Sequence, residues 1–270
     1  MSAGLTSQVR RAGRLARLSD VRCELGRHDK PFPEAHDAWT IALVRRGAFN
    51  YRTVDRRNGH SLREGWLLLG QPEQAYECSH DHDGGDECAV LTISEQLIEE
   101  HGGPFPSPVA APIARVAALV EKTRASDDAD LDEVAHLAVE AVLMRGQTAP
   151  QPDPQPQHRA RVDEAIHVIE TSHQDPLSLA DLAARAGLSS YHFLRVFGRI
   201  TGTTPRQYLI GARLRRAASL LLDTSRPVTT IAYDVGFQDL SNFVRTFHRV
   251  IGCSPRAYRR GASGRGAGRR

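Results

Sequence analysis

The sequence has almost no lysine: two, Lys30 and Lys122, among 35 basic residues. The remaining positive charges are arginines, a bias that a GC-rich genome alone can produce and that identifies no function by itself. No run of 18 apolar residues occurs, which excludes a membrane-spanning helix. The N-terminus, MSAGLTSQVRRAGRLARL, is basic but lacks the apolar stretch of a secretory signal, so a cytoplasmic location is expected. Cysteine is scarce too, and in a reducing compartment Cys23, Cys78, Cys88 and Cys253 are expected as thiols or ligands rather than disulfides. Also missing are a phosphate-cradling loop, a nucleophile–base pair and a paired-carboxylate motif, which argues against an enzyme. What is present is a chain of 270 residues, 40% hydrophobic and 25% charged, enough for one large or two ordinary folded domains.

The charge is unevenly divided. Residues 1–150 carry 17 basic and 23 acidic side chains, whereas residues 151–270 carry 18 basic and 9 acidic ones. A basic back half on an acidic front half points the back half at a polyanion. The division falls at Gln147–Gln157, where four prolines alternate with polar residues, as in a semi-rigid spacer. The expected boundaries are therefore an acidic front domain over 1–146, a linker over 147–158, a basic back domain over 159–262 that faces a polyanion, and a basic disordered tail over 263–270.

The front half reads as strands and then helices. Trp39–Val44, Ala48–Val54, Trp66–Leu69 and Cys88–Ile93 are short, rich in β-branched and aromatic residues, and separated by turn signals such as Arg46-Gly47 and Asp83-Gly-Gly85. This predicts an antiparallel sandwich or barrel. Helices are expected over Ile113–Thr123 and Leu131–Met144. In the second, Leu131, Val134, Ala135, Ala138 and Val142 make one apolar stripe, suited to core packing or to a dimer seam.

The back half repeats itself. Gly187 matches Gly236, and after one inserted residue Phe193, Arg195, Phe197, Arg199, Gly202, Pro205 and Tyr208 match Phe243, Arg245, Phe247, Arg249, Gly252, Pro255 and Tyr258. Each copy has the form of a helix-turn-helix: a short helix (Asp181–Ala186; Thr229–Val235), a glycine stop, and a cap at Ser189 or Ser190, or at Asp239 or Ser241, opening a second helix. Phe193, Phe197 and Ile200, like Phe243, Phe247 and Val250, fall on the inner face. Ser190, Tyr191, Leu194, Arg195 and Gly198, and Leu240, Ser241, Val244, Arg245 and His248, fall on the outer face. The helix between the copies, Thr204–Leu222, spans about 27 Å at 1.5 Å per residue. Successive major-groove faces lie roughly 34 Å apart, so one chain could read two adjacent turns. Arginine suits that work through bidentate pairing with guanine and phosphate.

The run Gly236-Phe237-x-Asp239-x-Ser241-x-Phe243-x-Arg245-x-Phe247-x-Arg249-x-x-Gly252-x-Ser254-Pro255-x-x-Tyr258-Arg259 resembles the signature of the AraC/XylS transcription regulators, over roughly residues 159–260. The resemblance implies two helix-turn-helix subdomains on a long helix, with Tyr191, Leu194, Arg195, Leu240, Ser241 and Arg245 reading bases. Ser190, Arg199, His248 and Arg249 complete the expected DNA-binding set. His248 stands where the family commonly has lysine, weakening a phosphate contact at neutral pH, and Cys253 where it commonly has threonine or another residue. Residues 20–105 resemble, less distinctively, the cupin-like sensor domain often found in the family. The expected fold class is therefore α+β: a cupin-like β-barrel with flanking helices, then an all-α domain.

A second candidate site lies in the front half. Cys78, His80 and His82 alternate and would share one face of a strand, and Cys88 follows after an Asp-Gly-Gly turn. Cys23 and His36 lie upstream and could join. Thiolate and imidazole together suit zinc. The plainer alternatives are an edge strand with exposed histidines and buried cysteines, or redox-sensing thiols. His28, His60, His101, His136, His158, His167 and His173 are expected on the surface. Three functions compete: a transcription regulator with a sensing domain, a cupin metal enzyme carrying a DNA-binding tail, and a DNA-repair methyl acceptor. The last would need four clustered cysteines, which this spacing does not offer. The regulator is the reading adopted, with promoter DNA as partner, a small-molecule effector, a homodimer through the front domain, RNA polymerase as a further partner, an activating role and no membrane.

Overall fold

The computed structural model describes residues 4–31, 33–54, 59–126, 129–146 and 156–260. It divides into two compact units, Met1–Gln147 and Thr148–Arg270.

The first unit is β-rich. Its strands are β1 (Leu5–Ala12), β2 (Ala16–Cys23), β3 (Pro33–Ala35), β4 (Trp39–Thr53), β5 (His60–Arg63), β6 (Leu67–Gly70), β7 (Ala75–Ser79), β8 (Asp86–Ile93) and β9 (Val109–Ala110). All pairings are antiparallel. One sheet runs β1-β2-β8-β4-β6-β9; β5, and β7 followed by β3, pair with the far half of β4. The strand β4 corrects the sequence reading, which made it two strands with a turn at Arg46-Gly47. Its register against β8 shifts between Val44 and Arg46, a bulge rather than a turn. Gly47 takes φ +80°, and a Cβ there would lie 2.3 Å from the Gly85 carbonyl oxygen. A bulge bends a strand without ending it. Trp39–Val44 therefore serve one sheet while Asn50–Thr53 pair with β7 in the other.

Three helices complete the unit: α1 (Glu95–Glu100), α2 (Ala114–Ala125) and α3 (Leu131–Gly146). Ile41, Leu43, Leu67, Leu69, Leu91 and Ile93 from the strands form one buried cluster with Val116 and Val120 of α2 and Ala135, Ala138, Val139 and Val142 of α3. All five residues of the α3 stripe are buried, so it is used in the core. Arg124 fastens α2 to β2 by donating from Nε and Nη2 to the Asp20 carboxylate at 2.6 and 2.8 Å.

The second unit is helical: α4 (Pro156–Thr171), α5 (Leu179–Arg185), α6 (Ser190–Thr201), α7 (Pro205–Asp223), α8 (Val228–Asp234), α9 (Leu240–Ile251) and α10 (Pro255–Arg260). Helix α4 starts inside the stretch expected as linker, because proline is accepted in a first helical turn. The rest of that stretch, 147–155, and the expected tail, 263–270, lie outside the described residues. Among the described residues, no helix is long and apolar enough to cross a membrane.

Candidate nucleic-acid interface

Local sequence chemistry builds the two helix-turn-helix units in parallel. Ser178 caps α5 and, with Asp181, closes a capping box. Gly187 at φ +60° turns the chain, and Ser189 caps α6 by accepting from the His192 N–H. In the second copy Gly236 at φ +93° makes the turn, and the Asp239 carboxylate accepts from the Ser241 and Asn242 N–H groups to open α9. Gly202 and Gly252, both left-handed, end α6 and α9. Of the alternatives in the sequence, Ser189 and Asp239 are the caps.

The aromatic residues matched by the repeat are core. Phe193, Phe197, Phe243 and Phe247 are each 0% exposed. Phe197 meets Tyr208 edge-on at 5.6 Å between ring centroids, and Phe247 meets Tyr258 edge-on at 5.6 Å. Their partners on the inner face differ from the expectation. Ile200 and Val250 are only half-buried, while Val196 and Thr201, and Thr246 and Ile251, are buried.

With that face inward, the opposite faces are presented to solvent. On α6, Ser190, Tyr191, Leu194, Arg195 and Arg199 are exposed. Tyr191 is 72% exposed, and the Arg195 guanidinium sits 5.8 Å from its ring centroid. On α9, Ser241, Arg245, His248 and Arg249 are exposed and Leu240 is half-buried. Thus nine of the ten expected positions are open, and the tenth partly so. An exposed large aromatic beside an arginine is poor core design and good ligand-facing chemistry.

Within the helical unit, a groove of about 1090 Å³ runs between the two helix-turn-helix subdomains, with Leu194 of α6 and Asn242 and Arg249 of α9 on its walls and Arg206, Leu209 and Arg213 of α7 beneath. Arg213 is occupied structurally: its Nε donates to the His173 carbonyl at 2.7 Å and its Nη2 to that of Asp175 at 3.0 Å. Arg206 and Arg256, exposed beside the matched Pro205 and Pro255, were not singled out from the sequence. The repeat held the signal, since they occupy equivalent places in it.

The Cys/His stripe folds differently from its expectation. Strand β7 ends at Ser79, so Cys78, His80 and His82 do not share a strand face. His82 is engaged through both ring nitrogens, Nε2 with the Ala48 carbonyl at 2.8 Å and Nδ1 with the Gly84 N–H at 3.1 Å. His36 is likewise turned elsewhere, against Tyr51 Oη at 3.0 Å and stacked on Tyr76. Among the described residues, the group whose ligand atoms converge is Cys23, His80 and Asp86, all within 4.8 Å of one another. Cys78 and Cys88 stay outside that group, and burial pushes both thiols well up. His101 and His136, expected as separate surface residues, meet at 3.0 Å.

Residues 182–261 match the family described as "Helix-turn-helix domain". The chain is 28% identical over 78 residues to the lactose operon transcription activator of Staphylococcus xylosus, an alignment covering 29% of this chain and 28% of that one. It is 25% identical over 225 residues to the uncharacterized HTH-type transcriptional regulator YfiF of Bacillus subtilis (strain 168), covering 75% of this chain and 70% of that one. Among solved structures, a transcriptional regulator of Chromobacterium violaceum with an AraC-type DNA-binding domain is 29% identical, covering 42% of this chain and all of that one, with a TM-score of 0.38. The chain thus spans little more than a quarter of the length of the first of these relatives.

Proposed function

We propose that this chain, an AraC/XylS-type transcription regulator by its helix-turn-helix domain, sets α6 and α9 into two adjacent major-groove segments of one promoter duplex. The observation that carries the reading is the pair of matched, exposed helix faces held at either end of one 19-residue helix, α7. At 1.5 Å per residue that helix is about 28 Å long, close to the roughly 34 Å between successive groove faces.

In this reading Tyr191, Leu194 and Arg195 address bases in one segment, and Leu240, Ser241 and Arg245 in the other. Ser190, Arg199, His248 and Arg249 flank them at phosphates, and Arg206 and Arg256 add positive charge beside each reading helix. The excess of 18 basic over 9 acidic residues after position 150 supplies the sequence-independent attraction. The β-rich unit acts as sensor for a small molecule or metal and pairs two chains. The whole works in the cytoplasm as a regulator of RNA polymerase rather than as a catalyst.

Arg195→Ala and Arg245→Ala test it. Each is expected to cost about 1–3 kcal/mol, or about 5- to 150-fold in affinity, and to relax base preference in one segment only. Equal loss on specific and random DNA would reduce that arginine to a phosphate contact.

A further inference from the structure

The connection between β7 and β8 is pressed against the end of β2. Gly85 turns it at φ +60°, and a Cβ on Gly85 would stand 2.2 Å from the Cys23 carbonyl oxygen. Cys23 and Asp86 are direct partners in the β2–β8 register. This close approach places His80, from the start of the connection, and Asp86, from its end, onto the Cys23 thiol. One ligand atom of each lies within 4.8 Å of the other two. All three residues are buried, at 8%, 6% and 8% exposure for Cys23, His80 and Asp86. His80 Nε2 is 2.8 Å from Asp86 Oδ2, and the Cys88 thiol donates to Asp86 Oδ1 at 3.5 Å.

We propose that Cys23, His80 and Asp86 bind a zinc ion in the N-terminal unit. The donor set selects the metal. A thiolate and an imidazole are borderline-to-soft ligands that suit zinc. Calcium and magnesium instead demand six or more oxygen donors. Once bound as thiolate and carboxylate, Cys23 and Asp86 supply two negative charges that balance those of a divalent cation. Tetrahedral zinc needs ligand atoms about 3.3–3.6 Å apart, worked from bond lengths of about 2.0–2.3 Å. The His80–Asp86 contact has to open by about half an ångström to admit it. Three protein ligands leave the fourth position to a water or an exogenous donor. Cys88, bonded to the other Asp86 oxygen, positions the carboxylate. His82 plays no part, because both its ring nitrogens are engaged. The site does not depend on the DNA-reading assignment and can fail without it.

The test uses the full chain, reduced and stripped of metal, titrated with zinc against a chromophoric chelator and separately with cobalt(II). The expected result is one ion per chain, with a thiolate-to-cobalt charge-transfer band. Cys23→Ser abolishes the band, and Asp86→Asn weakens binding by about tenfold or more, since even outer partners of a metal ligand count for that much. His82→Gln and Cys253→Ser leave both unchanged. No zinc competition and no charge-transfer band in the unaltered protein overturn the proposal, whatever the variants do. It is also overturned if the band survives in Cys23→Ser and is lost in His82→Gln, which would restore the ligand set suggested by sequence spacing.

Discussion

Gly187 and Gly236 occupy the same place in the repeat, yet substituting alanine should affect them very differently. Both have positive φ, +60° and +93°, where an L residue loses about 1–2 kcal/mol. Around Gly187 nothing lies within 4 Å of an added Cβ. At Gly236 the Cβ would stand 2.7 Å from the Gln174 carbonyl oxygen and 2.9 and 3.0 Å from Nε and Cζ of Arg213. Neither neighbour can withdraw freely. The first is backbone, and the second holds the His173 and Asp175 carbonyls. Relieving the clash would disturb two hydrogen bonds at about 0.5–1.5 kcal/mol each, or strain the packing by about 1–3 kcal/mol. Gly187→Ala should therefore lose about 1–2 kcal/mol and Gly236→Ala about 2–5. The assay is urea unfolding of the full chain followed by far-ultraviolet circular dichroism. Trp39 and Trp66, the only tryptophans, both lie in the other unit, so their fluorescence transition should stay in place. Gly236→Ala should also weaken DNA binding while still folded, because the turn it sits in rests on the first subdomain. Equal losses at the two glycines would refute the reasoning, and so would a tryptophan transition that moves with the helical one.

Burial pushes the His36 imidazole down to about 4, against the opposing pull of Asp37 and Glu34. The unfolded chain binds that proton from about pH 6.5 downward while the folded chain refuses it, so stability is full above pH 6.5 and falls as pH drops towards 4. The loss reaches up to about 3 kcal/mol at 1.36 kcal/mol per unit. His36→Gln should flatten the tryptophan-monitored melting temperature between pH 7.5 and 4.5; parallel profiles for the two proteins would remove His36 as the cause. Phe247→Ala empties a fully buried site between Phe243 and Tyr258 and should cost about 3–5 kcal/mol in the same urea assay, matching Phe197→Ala in the other copy. A loss below about 1 kcal/mol in either would mean that the repeat does not carry the core.

The helical half was legible because its determinants are local and occur twice. Glycine stops, serine and aspartate caps and phenylalanines one turn apart each act within a few residues, so Phe193 and Phe247 could be placed, and each cap narrowed to two neighbouring candidates, without knowing the fold. The β-rich half was not, because its determinants are long-range. Arg46-Gly47 reads as a turn, but pairing with β8 on both sides converts it to a bulge. The amino-terminal strands β1 and β2 carry mostly arginine and small residues and announce no periodicity. The alternation at Cys78, His80 and His82 presupposed a strand that ends at Ser79. Asp86, which replaces His82 in the converging group, was invisible to a search for thiols and imidazoles. The stripe on α3 was legible as apolar but not as core or seam, since only the sheet beneath it decides that.

The central claim is that one chain reads two groove segments. It is tested most directly by methylation interference with the full chain on a duplex selected from a random pool. The account predicts that each bound chain is blocked by guanine N7 methylation in two clusters, centred about 10 base pairs apart on one face of the duplex and differing in sequence. A single cluster per bound chain, with the neighbouring turn indifferent to methylation, would contradict it.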